Sequence, residues 1–497
     1  MDNWSTDSEF SGWFPPISSI EQSLSSIEQS LLELREGAKR WIALRTSGKA
    51  ELLKRVRESV YANAERWALA GAQAKGIAGT PLAGEEWVSG PWALLYALNR
   101  YIRTLSDLAY GGAPNIPASR VHERADGQLT VDVFPNAFYD RLLLSGVRAE
   151  VWMQPGVTRD TLASTTAVWY KQSSPQPRVA LVLGAGNIAS IPPLDVLYKL
   201  VADGAVCILK MNPVNQYLGP IFEDALKPLV DGGFLRFACG GAEAGKLLTE
   251  HPLVDEIHIT GSDRTFNAIV ADQSVHKPIS AELGNVSPTI VVPGPWSDAD
   301  FRFQAEQIVT QKLHNGGFNC VASQVVILPS AWDGTPKLIA EIENVMREAP
   351  ARPAYYPGAA ERMRQLGGGD RSILRLDANT DAVAFEVEAF ASVLAITTLP
   401  GETAAFLRDA VAFANDRLWG NLGANMVVHP ATLKAFADDV DLTIAGLRYG
   451  CVAVNAWTGV GFLLTETTWG AYPGNTIDNV RSGIGVVHNS YLFDRAQ

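Results

Sequence analysis

The stretch RVALVLGAGNIA (178–189) decides the fold. Arg178–Leu183 is a short apolar run rich in Val and Leu, the pattern of a strand buried on both faces. Gly184-Ala185-Gly186-Asn187-Ile188-Ala189 follows it, and residues 193–203 have helical spacing. The alternation then repeats: AVCILK (205–210) as a strand, Ile221–Val230 as a helix, Phe234–Cys239 as a strand, Ala242–Glu250 as a helix, and Glu256–Thr260 as a strand. Strands separated by helices in this way specify a parallel sheet covered on both faces. A second alternating stretch from Thr289 to about Val454 predicts a second α/β unit. Read literally, residues 184–189 are a GxGxxA dinucleotide fingerprint. Such a site also places Asp or Glu at the end of the next strand, whereas that strand ends in Lys210, so the fingerprint is half met.

Upstream of this core, Lys39–Leu105 is rich in Ala, Leu, Arg and Glu at helical spacing and reads as helices. The repeat SSIEQSL occurs at Ser18–Leu24 and again at Ser25–Leu31. It puts Ile20, Leu24, Ile27 and Leu31 on one stripe, too short for a coiled coil and suited to a first helix packed on its own domain. Residues 149–158 and 166–172, with β-branched and aromatic residues, predict a β-hairpin, and Ser173–Pro177 a linker. The tail SGIGVVHNSYLF (482–493) is strand-like and needs an edge to pair with.

Composition narrows the function. The 497 residues carry a formal charge of −12, with 47% hydrophobic and 19% charged residues. An acidic chain gains no electrostatic help toward nucleic acid or anionic lipid. No apolar run reaches the roughly 18 residues of a membrane span, and Asp2 stands where a signal peptide carries positive charge. A cytoplasmic location is expected. Cys207, Cys239, Cys320 and Cys451 are far apart and none sits in a CxxC pair, a pattern that supports neither a disulfide framework nor a zinc ribbon. The seven histidines show no metal spacing, so His258 and His314 read as structural and no catalytic metal is expected.

Five further segments follow in order: IHITGS (257–262), PISAELGNVSPTIVV (278–292), NGGFNCVASQ (315–324), EVEAFASVL (386–394) and NDRLWG (415–420). Together they resemble the aldehyde dehydrogenase superfamily, from about Lys39 to the C-terminal tail. The glutamate motif is matched at Glu282-Leu283-Gly284 and Ser287-Pro288, the cysteine motif at Asn315, Gly317 and Cys320, and the EIFGP-like motif at Glu388, Phe390 and Val393. The intervals Asn187–Lys210 (23) and Glu282–Cys320 (38) are also family-like. Departures mark a divergent member: Phe318 replaces Gln, Asn285 a Gly, Val286 a Lys and Phe266 a Gly, and Trp469-Gly470-Ala471 stands for a PFGG-like segment.

The resemblance implies roles. Cys320 is the nucleophile, since a thiolate adds to a carbonyl and leaves as a thioester, with Gly316, Gly317 and Asn319 allowing close approach of substrate. Glu282 is the general base for thioester hydrolysis. Asn187 is an oxyanion donor, where a reading without the family makes it a helix cap. Lys210, Gly261, Ser262, Glu388 and Phe390 contact the cofactor, NAD or NADP. NAD-preferring relatives carry a glutamate three residues after the lysine. Pro213 stands there, so NADP is expected to be tolerated.

The expected fold is α/β and aldehyde dehydrogenase-like: a Rossmann-like cofactor domain (1–148 and 175–281), a catalytic domain (282–475), and an oligomerisation element from the 149–174 hairpin and the 476–497 tail, which predicts a homodimer or homotetramer. The expected activity is NAD(P)-dependent oxidation of a small-molecule aldehyde to an acid. Glu282 argues against an acylating relative that passes the thioester to coenzyme A. Cys320, Glu282 and Asn187 together argue against a non-catalytic binding protein on the same scaffold. Trp457, Phe462, Trp469 and Tyr472 hint at an apolar or aromatic substrate.

Overall fold

The computed structural model describes residues 24–272 and 275–497. Both α/β units are present. In the first sheet the strands run in the order Leu235–Ala238, Val206–Lys210, Val179–Leu183, Glu256–Thr260, Ile279–Glu282, all parallel, with Gly483–Ile484 antiparallel at the far edge. The central strands are apolar along their whole length because helices cover both faces. In register, His258 lies beside Ser280 and Thr260 beside Glu282. The second sheet is entirely parallel, in the order Ile373–Asp377, Leu394–Leu399, Ser323–Pro329, Ser287–Val291, Gly423–Val427, Cys451–Val454. Separate apolar clusters fill its two faces.

The first copy of the SSIEQSL repeat lies outside the described residues, except for its final Leu24. The second enters the helix Leu24–Ala43, whose Ile27, Leu31, Leu34 and Trp41 are buried against the first sheet. Trp41 also donates its indole N–H to the Leu200 carbonyl at 3.0 Å. This helix is therefore part of its own domain. No helix among the described residues is long and apolar enough to cross a membrane.

The expected hairpin of 149–158 with 166–172 does not form. Ala149–Trp152 pairs instead with Leu129–Phe134, which also pairs with Val121–Glu123, making a three-stranded antiparallel sheet. Val168–Lys171 is a 3-10 turn. Its aromatic residues anchor the turn to the first domain: Trp169 packs under the Lys49 ammonium at 4.2 Å, and the Tyr170 hydroxyl donates to the Val201 carbonyl at 2.8 Å. Aromatic content tracks packing surface more than extended backbone, which is why the segment reads as a strand. The small sheet thus begins at Val121 and not at Ala149.

The tail does find edges. Gly483–Ile484 joins the first sheet, Val486–His488 pairs with Thr468–Gly470, and Phe493 and Ala496 bridge to Thr166 and Met153.

Candidate active site

A cleft of about 960 Å³ runs from the C-terminal ends of the first sheet to the inner wall of the second. In open parallel sheets ligands bind at this end of the strands. All eight site residues singled out from sequence line it: Asn187, Lys210, Gly261, Ser262, Glu282, Cys320, Glu388 and Phe390. Trp457, Phe462, Trp469 and Tyr472 are not among its lining residues.

At the outer end, Lys210 closes its strand with a nearly buried side chain. Burial lowers its pKa, and no carboxylate forms an ion pair with it among the described residues. A desolvated cation without a partner fits an anionic or polyhydroxyl ligand. Ser262 caps the helix Asp263–Val270 by accepting the Thr265 N–H at 3.2 Å, and Asp263 Oδ1 accepts the Arg264 N–H at 2.8 Å, so what this helix start brings to the cleft is chiefly the positive end of its dipole.

At the inner end Glu388 is held against the backbone of the other wall. The Asn285 N–H donates to it at 3.2 Å, and a Cβ on Gly284 would stand 2.4 Å from its carboxylate. Only glycine allows this approach. Burial pushes Glu388 up to about 7. Asn285, a departure from the family motif, is fully tied: its amide donates to Ser287 and to the Gly423 carbonyl, both at 2.9 Å.

Cys320 follows a tight turn. Asn315, Gly316 and Gly317 have φ of +53°, +71° and +81°, and a Cβ on Gly317 would meet the Ala391 carbonyl oxygen at 2.4 Å. Left-handed backbone and close packing thus favour glycine at these two positions. Phe318 is buried among Tyr355, Tyr356 and Phe390, with ring centroids 5.0, 5.5 and 5.9 Å away. An aromatic wall fills the place of the usual amide. The Cys320 thiol is pushed well above its ordinary pKa, first by burial and then by the carboxylates of Glu388 and Glu282, while its own N–H and that of Val321 act in the other direction.

Glu282 is buried at the end of its strand. Burial, and then the nearby Asp195 carboxylate, raise its pKa well above the usual range, and the Trp469 indole N–H donates to its Oε2 at 3.2 Å. Trp469 thus serves the carboxylate and not a substrate entrance.

Asn187 does not cap a helix. Its amide donates to the Phe318 carbonyl at 3.0 Å, one peptide unit from the cysteine loop. Behind it lies a network that sequence reading missed. The Lys75 ammonium donates to Glu86 (2.7 Å), Asn315 Oδ1 (3.0 Å) and the Asn187 carbonyl (3.2 Å), and the Tyr355 hydroxyl donates to the last two acceptors at 3.1 and 3.0 Å. Removing one partner of such a buried ion pair costs about 3–5 kcal/mol. Lys75 is 112 and 240 residues from Asn187 and Asn315, so no local pattern signalled it.

His258 hydrogen-bonds to Ser280 (2.9 Å), and His314 lies 3.3 Å from the Ser89 hydroxyl and against the Trp457 ring. No cluster of His, Cys, Asp and Glu suited to a metal occurs among the described residues.

These features define an α/β protein with a nucleotide-sized cleft that ends on a cysteine between two carboxyl groups. The model of the aldehyde dehydrogenase family matches residues 187–367. Two curated relatives are the peroxisomal aminoaldehyde dehydrogenase 1 of Malus domestica, 27% identical over 341 residues (62% of this chain), and the peroxisomal aminoaldehyde dehydrogenase 2 of Pisum sativum, 27% identical over 286 residues (50% of this chain). The matched segments span only 59% and 54% of those relatives' lengths. Among solved structures, an NAD-dependent aldehyde dehydrogenase from Sinorhizobium meliloti superposes with TM-score 0.66 at 18% identity, covering 96% of this chain and 86% of that one. An NADP-dependent enzyme of E. coli gives 0.65 at 16%, covering 95% and 89%. Aldehyde dehydrogenase C of Pseudomonas syringae, complexed with NAD+ and octanal, gives 0.65 at 16%, covering 95% and 88%. The solved structures show that the chain has the aldehyde dehydrogenase fold, and its sequence is similar to the aldehyde dehydrogenase family over residues 187–367.

Proposed function

We propose that this protein oxidises an aldehyde to a carboxylic acid with NAD or NADP, through a thioester on Cys320 that Glu282-activated water hydrolyses. The observation that carries the reading is the meeting of Cys320, Glu282 and Asn187 at the inner end of one cleft whose outer end holds Lys210.

The cleft suits a dinucleotide. Lys210 offers an unpaired ammonium to ribose hydroxyls or phosphate, the turn Gly261-Ser262 offers the positive end of a helix to a pyrophosphate, and Glu388 and Phe390 line the same cleft as the cysteine, where a nicotinamide ribose and ring would sit. The bound nicotinamide supplies a hydride acceptor. The chain's residues do the rest. Cys320 loses its thiol proton to water in the cleft, and the thiolate sulfur adds to the aldehyde carbon. The developing oxyanion is met by the Cys320 backbone N–H and by the second amide hydrogen of Asn187, the first being held by Phe318. Once the thioester has formed, Glu282 takes a proton from water as the water attacks it. A carboxyl whose pKa is raised by burial is a stronger base once ionised, which suits that step.

Neither cofactor is excluded by charge, because Pro213 presents nothing to repel a 2′-phosphate. Reduced-nicotinamide formation should therefore be seen with both NAD and NADP, without coenzyme A. A panel of amino-, apolar and aromatic aldehydes spans the relatives' printed substrates and the cleft's aromatic wall. Absence of turnover across the panel, or turnover only with coenzyme A, would overturn the proposal.

The proposal includes self-association through the small antiparallel sheet, whose neighbouring helix Phe138–Leu143 exposes Phe138, Tyr139, Leu142 and Leu143. Such a patch is unusual on a monomer. Sedimentation velocity should report a dimer or tetramer, and Leu142→Glu combined with Leu143→Glu should shift it to a smaller species. A wild-type monomer at micromolar concentration would refute this.

A further inference from the structure

The buried network behind Asn187 holds more order than an ion pair alone requires. Lys75 follows the last turn of the helix Thr46–Ala74, and Glu86 lies in the short helix Gly84–Trp87. Both side chains are almost fully buried. Glu86 packs on the first of these helices so closely that a Cβ on Gly71 would stand 2.5 Å from its carboxylate. Glycine at 71 thus makes room for the group that holds the ammonium in place.

Counting hydrogens fixes the state of each group. The Lys75 ammonium has three hydrogens and meets three acceptors: the Glu86 carboxylate, Asn315 Oδ1 and the Asn187 carbonyl. A neutral amine would carry two hydrogens and leave one of them unserved. Burial works against the charge, and the Glu86 carboxylate works for it.

A charged Lys75 also decides which way the Asn315 amide lies. Asn315 Oδ1 faces two donors, the ammonium and the Tyr355 hydroxyl. Its Nδ2 faces two acceptors, the Asn187 carbonyl at 3.0 Å and the Phe318 carbonyl at 2.9 Å. Turned over, the amide would set N–H groups against a cation and an oxygen against two carbonyls. The observed orientation closes a ring. It runs from the Asn187 carbonyl to Asn315 Nδ2, on to the Phe318 carbonyl, and back to the Asn187 side-chain amide at 3.0 Å. Each link is a direct hydrogen bond. The ring ties the backbone and the side chain of Asn187 to a residue two before Cys320. With one amide hydrogen held by Phe318, the planarity of the amide sets the direction of the other.

Other contacts fix the turn itself. The Asn315 N–H donates to Glu85 Oε2 at 2.9 Å, and Arg352 donates to the same oxygen at 2.8 Å and to the Leu313 carbonyl at 3.0 Å. These bonds do not touch Asn187. Orienting its amide falls to Lys75 and to Tyr355, which serves the same two acceptors at 3.0 and 3.1 Å.

We propose that Lys75, seconded by Tyr355, is a positioning residue for acylation: through Asn315 it sets the direction in which Asn187 offers its free amide hydrogen to the oxyanion formed from the aldehyde. The proposal rests on the reading of Asn187 as the oxyanion donor. Lys75 does not line the cleft, so it acts on the reaction only through the groups it holds.

The test is the double variant Lys75→Met, Glu86→Gln in the full-length protein. Removing both charges together avoids leaving a buried carboxylate unpaired. The first hydride transfer, followed by stopped flow, reports acylation. It should slow about ten- to a hundredfold, less than the 10²- to 10³-fold lost with an oxyanion donor itself. Alkylation of Cys320 by iodoacetamide is a displacement that passes through no oxyanion, so its rate should stay at the wild-type value. Cofactor affinity should stay there too. A change that merely loosened the cysteine turn would move both rates together. Alkylation changed in step with hydride transfer, or hydride transfer unchanged, would overturn the proposal.

Tyr355→Phe removes a single hydroxyl and keeps the ring that packs on Phe318, so it reads the same device where the double variant fails to fold. Hydride transfer should slow about two- to tenfold, as for one lost neutral hydrogen bond, again with alkylation unchanged. Wild-type hydride transfer in Tyr355→Phe would overturn the proposal. Each change should also lose its effect once Asn187 is Ala, adding less than about twofold there. Full additivity would mean that Lys75 and Tyr355 act elsewhere. Asn187→Ala at the wild-type rate would bring down the reading of Asn187 as the donor, and this proposal with it. A slow Asn187→Ala beside a double variant of wild-type rate would bring down this proposal alone.

Discussion

Cys320→Ala should reduce aldehyde-dependent formation of reduced nicotinamide to background, a loss of at least about 10³-fold, while cofactor still binds. Removing the sulfur removes the covalent route itself, and little remains to lower the barrier once the attacking atom is gone. Cofactor binding should persist because Lys210, Gly261 and Ser262 line the far end of the cleft. Their contacts do not pass through the cysteine loop. Alanine is also tolerated sterically, since Cys320 has ordinary neighbours and the turn's strain lies at Asn315–Gly317. Turnover above one tenth of wild type would mean that another group performs the chemistry. The rate of alkylation of wild-type Cys320 should rise with pH and stay low at neutrality, because burial and two carboxylates hold the thiol protonated. Bound cofactor should accelerate it if the cofactor's positive charge reaches the inner end of the cleft.

Glu282→Gln should separate the two halves of the reaction. The burst should survive at near wild-type amplitude, and steady turnover should fall by about 10²- to 10⁴-fold, the range for a lost general base. The pH dependence carries the sign. The folded-state pKa of Glu282 is raised, so the carboxyl is protonated and inactive below that value, and hydrolysis climbs as pH rises through it. That limb should vanish in the Glu282→Gln variant and leave a shallower dependence on hydroxide. The same raised pKa bears on stability. The carboxyl is more easily ionised in the unfolded chain, so it opposes folding as pH rises above the unfolded value, and the Glu282→Gln variant should be slightly more stable than wild type in alkali. A lost burst would show that Glu282 is needed for acylation instead.

The legible parts of this chain were those where burial is complete. Strands covered on both faces read as unbroken Val, Leu and Ile runs, so both parallel sheets could be placed from sequence. The site was legible where a short motif carries its own residues, as at Glu282 and Cys320. Failures came where packing over long separations decides the outcome. Trp169 and Tyr170 read as strand residues but serve as anchors on Lys49 and Val201. Lys75, Tyr355 and Trp469 carry no local pattern, and their partners lie 40 to 240 residues away. Asp195 looks like an ordinary helix residue and His258 like a strand residue. Only the register of two strands and one helix packed across them brings both beside Glu282.

The segment 483–496 touches in turn the edge of the first sheet, the strand Thr468–Gly470, and the small sheet's neighbours Thr166 and Met153. It is synthesised well after the sheet edge that it covers. The first sheet can assemble from its five parallel strands during translation, but its outer edge at Ile279–Glu282 stays uncovered until about two hundred more residues have been made. During that interval the strand carrying the proposed base is open to pairing with other chains. Chaperone dependence and inclusion-body formation should therefore respond to changes in this late segment more than to changes of equal thermodynamic cost elsewhere.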